Sequence, residues 1–262
     1  ELSADGGGRL FARSSRGSGY SLDELTKGCI ELPFFYVDYW YLILVLPAVL
    51  VSLWAQIKVK STFNKYSSYA VRCGITGAGA SRCIQQAYGI CTGMESVSGS
   101  LTDHFDPRSN TIRLSTPVYG QATIAAVGVA AHETGHALQH AEGYAPVKLR
   151  TAMVPVTNFS SAISPLLVVL GIMMAMDPLA YAGIALFSVA TLFQLVTLPV
   201  EFNASRRAMA AIETANLLTE EEQRGAKKTL KAAAMTYVAA TAVALAQLIR
   251  LIAIFGNRRR RD

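Results

Sequence analysis

The chain has 262 residues, 52% of them apolar and only 16% charged, with a net charge of +6 and a mean hydropathy of +0.31. That balance excludes an ordinary soluble domain, and the clumping of the apolar residues points to membrane spans. There is no Gly-rich phosphate loop and no basic stripe interleaved with aromatics. The positive charge is therefore read as membrane topology and not as nucleic-acid binding.

Residues 1–31 contain ADGGGRLFARSSRGSGYS, which is Gly/Ser-rich, basic and without hydrophobic period. They are expected to be disordered or non-native, and they lack the apolar run of a signal peptide. The first methionine is Met94, so the native start is expected to lie elsewhere. Residues 34–54, FFYVDYWYLILVLPAVLVSLW, carry one charge, Asp38. At 1.5 Å per residue they reach about 30 Å and read as the first transmembrane helix. Tyr36, Tyr39, Trp40 and Tyr41 at one end and Trp54 at the other suit the two interfaces.

Residues 55–152 are mixed polar and apolar, and read as a small folded domain. ITGAGASRCIQQAYGI predicts a short helix with Thr76 as N-cap and Gly89 as terminator. SLTDHFDPRSNTIRLS predicts a β-hairpin turning at Asp106–Asn110. QATIAAVGVAAHETGHALQHAEG is Ala-rich and free of proline, and predicts one long helix ending near Gly143. Residues 153–200 hold two uncharged runs split by Asp177-Pro178, a transmembrane hairpin. Residues 201–231 read as a cytoplasmic helix, with Thr219 and Glu222 at capping-box spacing. Residues 232–256 read as a fourth transmembrane helix and 257–262 as a basic tail. Cys29, Cys73, Cys83 and Cys91 form no CxxC pair and are expected to be reduced.

The fold class is thus mainly α: a multi-pass membrane protein of about four transmembrane helices with a small α+β cytoplasmic domain. Orientation follows from the basic residues. Lys58, Lys60, Lys148 and Arg150 flank the first loop, and Arg206, Arg207, Lys227, Lys228 and Lys231 lie in the third. The hairpin turn has none, so both long loops are expected in the cytoplasm. Arg258 to Arg261 fall on the opposite side if all four spans cross, against the rule.

AAHETGHALQH carries the chemistry. Residues four apart on a helix differ by about 40° around the axis and about 6 Å along it, so His132 and His136 present two imidazoles to one point. Glu133 is rotated by about 100° and reaches a water beside a metal held there. A catalytic zinc needs a third protein ligand. His140 lies about 12 Å along the helix from His132, too far to share an ion. Glu142 is a rival, because some zinc proteases place a third ligand six residues after the second histidine, although they need a glycine to turn the chain back where this sequence has Gln139. His104 reads better as a surface histidine. Glu201, in LPVEFNASRRA, is the strongest candidate, because the membrane hairpin leaves near Lys148 and returns near Glu201.

LTDHFDP, VAAHETGHALQH and LPVEFNASRRA, in this order and separated by hydrophobic hairpins, resemble the bacterial membrane neutral zinc metallopeptidase family (YugP-like), over roughly Phe34 to Gly256. That family is in turn similar to the CAAX prenyl protease and heat-shock membrane protease group. The resemblance implies one zinc per chain held by His132, His136 and Glu201, a gluzincin-like set, with Glu133 as catalytic base. The group usually has an Asp four residues after the ligand glutamate, where this chain has Ser205. Ser205 or Asn203 is then expected to orient a histidine. It further implies a membrane-bound endopeptidase in the bacterial plasma membrane that acts on peptides or proteins, membrane proteins among the candidates.

His104, Tyr119, Arg206 and Arg207 are candidates for stabilising an oxyanion. The strand Thr111-Ile112-Arg113-Leu114 is expected to dock an extended peptide by its backbone. The competing reading is a non-catalytic membrane protein, an assembly factor or carrier, with a structural or regulatory zinc site. Such a site has no need of Glu133.

Overall fold

A computed structural model describes residues 30–32 and 35–258. The disorder expected for the first residues and the basic tail beyond residue 258 lie outside the described residues. Ile30–Leu32 (β1) and Phe35–Val37 (β2) form an antiparallel pair, Ile30 opposite Val37. Phe, Tyr and Val suit a strand better than a first helical turn. The first long helix accordingly begins later than residue 34. A π-helical turn, Tyr41–Val45, leads into α1, Leu46–Ser67, just ahead of Pro47, which lacks the N–H of a regular turn.

α2, Gly77–Ala87, begins where Thr76 Oγ1 accepts from the Gly79 N–H at 3.1 Å, and Gly89 follows it with φ +63°. Three short strands come next: β3 (Gly93–Val97), β4 (His104–Asp106) and β5 (Thr111–Ser115). β4 and β5 are the expected hairpin, His104 opposite Arg113. Asp106 ties its turn by accepting from the Arg108 N–H and the Ser109 hydroxyl at 2.9 and 2.8 Å. β3 pairs in parallel with the other edge of β5, Gly93 opposite Thr111. The order is therefore β3-β5-β4, and β5 is the central strand.

After the short α3, Thr116–Gly120, come four helices: α4 (Ile124–Ala141), α5 (Ala145–Met173), α6 (Asp177–Thr214) and α7 (Glu220–Arg258). Tyr41–Ser67, α5 and α6 are long and apolar enough to cross a membrane, as is Glu220–Gly256. Exposed Leu50, Trp54, Phe159, Leu166 and Leu192 give them apolar outer faces. Residues 201–231 are not a separate helix. α6 runs through Glu201 to Thr214, and α7 starts at Glu220 and continues through the last apolar run. No helix breaker follows Glu201 until Asn216, which takes φ +49°. Thr219 and Glu222 then close the expected capping box: Glu222 Oε2 accepts from the Thr219 N–H at 2.8 Å.

Helices α5 and α6 pack through small residues. A Cβ on Gly171 would lie 2.6 Å from the Ala180 nitrogen, and one on Gly183 2.9 Å from the Val168 nitrogen. Without a hydrophobic drive between helices in lipid, such close backbone packing is what holds a hairpin. Outside the hairpin, α4 is the hub. One cluster, including Ile84, Val127, Leu138, Ile212 and Leu230, joins it to α2, α6 and α7. A second, including Ile112, Leu114, Val118, Ala130 and Ala137, joins it to the sheet.

Candidate metal centre

Helix α4 is capped by Thr123, whose side chain accepts from the Ala126 N–H at 3.3 Å. It ends at Gly143, φ +66°, where the Tyr144 N–H reaches back to the Gln139 carbonyl in the manner of a left-handed C-cap. Its flanks are lined with alanine and glycine, and this allows close approach. A Cβ on Gly135 would sit 2.7 Å from the Ala204 carbonyl oxygen of α6. That contact lies between His132 and His136 on one side and Glu201, less than a turn before Ala204, on the other. His132 Nε2 is 3.3 Å and His136 Nε2 is 3.5 Å from the same oxygen, Glu201 Oε2. The ligand atoms of the three residues lie within 4.8 Å of one another.

The protonation pattern follows from Gln139, which is fully buried. Its Nε2 lies 2.9 Å from the Val200 backbone carbonyl and 2.9 Å from Asn203 Oδ1. A carbonyl only accepts, so this end of the amide donates, and Oε1 must face His136 Nδ1 at 3.0 Å. Oε1 accepts from Nδ1–H, so a neutral His136 carries its lone pair on Nε2, pointing at Glu201. On the other histidine, the Ser205 hydroxyl lies 3.2 Å from His132 Nδ1 and can hold the same tautomer there. Glu201 is 2% exposed, and its Oε2 is buried with no hydrogen-bond donor. Lone pairs converging on a buried, orphaned carboxylate oxygen are costly without a cation. Two imidazole nitrogens and a carboxylate oxygen are a donor set that fits zinc.

Glu133 is buried beside this triad, and burial pushes its carboxyl up to about 7, where a group both takes and gives a proton near neutrality. Two cavities meet at His132, Glu133, Glu201 and Tyr237. One, of about 130 Å³, is walled by apolar Val59, Phe63, Leu101 and Leu230. The other, of about 140 Å³, is bordered by His104, Phe105, His136, Arg150 and Thr151. Asp103 borders both and accepts from the Ser115 N–H at 2.7 Å; burial raises its pKa. Arg150 brings a guanidinium nitrogen to 3.8 Å from Glu201 Oε1.

Not every residue singled out in the sequence arrives here. Glu142 is turned away: its carboxylate is half exposed and paired with Arg207 at 2.6 Å. His140 lies against Phe105, ring centres 5.6 Å apart and planes tilted by 54°. His104 reaches the cavity rim, but Tyr119 packs against the sheet-side core and Arg206 is exposed, and neither borders either cavity. Asn203 reaches His136 only through Gln139. The strand Thr111–Leu114 cannot dock a peptide as expected, because β3 and β4 occupy both of its edges. Thr111, Ile112 and Leu114 are buried, and Arg113 is committed to Glu95 and Asp106 at 2.9 and 2.8 Å. Asp103, Gln139, Arg150 and Tyr237 enter the site without having been picked out as site residues. In the sequence Arg150 reads as a topology anchor and Gln139 only as a residue that is not glycine.

The family described as "Putative neutral zinc metallopeptidase" matches residues 41–256, which holds all of these residues. Over 220 residues the chain is 47% identical to the "Putative membrane protease YugP" of Bacillus subtilis (strain 168), covering 84% of this chain and 98% of that protein. No solved structure matches. With the match spanning the HETGH helix, Glu201 and all four membrane-length helices, the chain belongs to the neutral zinc metallopeptidase family so described.

Proposed function

We propose that this chain is a zinc-dependent endopeptidase of the bacterial plasma membrane, with its active site facing the cytoplasm. The observation that carries the reading is the orphaned Glu201 Oε2 set between two imidazole Nε2 atoms, with buried Glu133 alongside. His132, His136 and Glu201 would hold one zinc. Bound there, zinc lowers the pKa of a water and polarises a carbonyl. Glu133 is placed to take the proton of the attacking water as its oxygen bonds to the scissile carbonyl carbon. The same carboxyl then gives that proton to the amine nitrogen as the C–N bond breaks. His104, Arg150 and Tyr237 border the cavity where an oxyanion would form.

Backbone docking passes from β5 to β4, the edge strand that borders the polar cavity. The lysines and arginines at the cavity end of the spans support the cytoplasmic orientation, and the name of the Bacillus relative supports the membrane location. The test is bound zinc per chain in detergent for the intact protein and Glu201→Ala. The intact protein should hold about one zinc and the variant should lose most of it. Glu133→Gln should abolish peptide hydrolysis while keeping fold and zinc. A Glu133→Gln protein that works as well as the parent selects the non-catalytic reading, a structural or regulatory zinc site.

A further inference from the structure

Gln139 is fully buried and touches both halves of the centre. Its oxygen faces His136 on α4, and its nitrogen faces the carbonyl of Val200, the residue before Glu201 on α6. Its second acceptor, Asn203 Oδ1, is itself held by Arg207 Nε at 2.7 Å. Arg207 in turn pairs with Glu142 at 2.6 Å and lies 5.8 Å from the Tyr144 ring centre. The result is a chain of hydrogen bonds from the surface at Glu142 to the imidazole of His136, in which each donor has one direction available to it. The Arg207 guanidinium only donates, so Asn203 presents its oxygen to Gln139. Because that oxygen and the Val200 carbonyl can only accept, Gln139 has no alternative orientation.

We infer that Gln139 is a positioning residue for the metal: it locks His136 as the Nε2-lone-pair tautomer and fixes the separation of His136 from Glu201. The inference rests on His136 and Glu201 being zinc ligands. Groups of this kind typically contribute about 10–100-fold to metal affinity. Methionine fills the same space without hydrogen bonds. It leaves the Val200 carbonyl its helical partner and Asn203 Oδ1 its bond to Arg207, so the fold has little to lose.

The test is a zinc dissociation constant from chelator competition on full-length protein in detergent, read beside the thermal unfolding of the metal-free form. Gln139→Met is expected to raise the dissociation constant by ~10–100-fold with little change in unfolding. Asn203→Leu, which keeps the His136 contact but releases one anchor of the amide, is expected to raise it by less, ~3–10-fold. Folded Gln139→Met binding zinc as tightly as the parent overturns the inference and leaves the peptidase reading standing. If Gln139→Met does not fold, Asn203→Leu decides, and parental affinity there overturns it. A parent chain that takes up no zinc overturns both.

Discussion

The two helices that supply the centre are built on opposite plans. α4 is enclosed by protein: Ala125, Ala126, Ala130, Ala131 and Ala137 are all nearly inaccessible, and its chemistry sits within five consecutive residues, His132 to His136. α6 shows apolar side chains outward at Leu192, Leu195 and Phe202, and buries one stripe, Val200, Ala204, Ala208 and Ala211. Its one candidate ligand, Glu201, has no local motif and gains a role only where Ala204 meets Gly135. The motif helix thus carries a chemistry in its own spacing, while the long helix acquires one by contact. The tightness of that contact makes it the weak point.

Gly135→Ala should break the arrangement most. Helix propensity alone favours alanine by about 1 kcal/mol, so a protein governed by local preference would be stabilised. With the Ala204 carbonyl 2.7 Å from the new Cβ, we expect instead a loss of about 1–3 kcal/mol and a fall in zinc affinity of ~10–100-fold, measured by unfolding and by zinc titration. A stabilised variant with full zinc would show that the contact does not set the ligand geometry. Gly183→Leu should have the next effect and a narrower one. It crowds the Val168 backbone at 2.9 Å and should cost about 1–3 kcal/mol in detergent, with unchanged zinc affinity in the chains that remain folded. Joint loss of zinc would mean that the membrane hairpin and the centre are one unit. Ser205→Ala is the mildest. It removes the hydroxyl from His132 Nδ1 and should weaken zinc by ~10-fold, with stability moving by less than about 0.5 kcal/mol. No change would assign the orientation of His132 to packing alone.

The same contrast explains what could be read in advance. The HETGH helix, the β4–β5 hairpin and the membrane runs all announce themselves over short windows: a four-residue spacing, an Asp-Pro-rich turn, an uncharged stretch. Glu201 was reachable by topology, because a hairpin returns to the side it left. β3 was not, because GMESV has weak alternation and pairs in parallel with a strand beyond the hairpin turn. The helix ends near residue 201 were misplaced because an Ala-rich helix leaving a membrane changes its surroundings without changing its propensity. Gln139, Arg150 and Tyr237 depend on the register between helices far apart in sequence; Gln139 and Val200 are 61 residues apart. No local pattern encodes such a register.

The order of the chain also sets a timetable. Ribosomal synthesis delivers His132, Glu133 and His136 first, then the whole of helix α5 and the first part of α6, and Glu201 only afterwards. Two imidazoles without the carboxylate are an incomplete cage for a catalytic metal. On the proposed reading, the nascent protease is harmless to itself and its neighbours until the hairpin has entered the bilayer and brought its last ligand home.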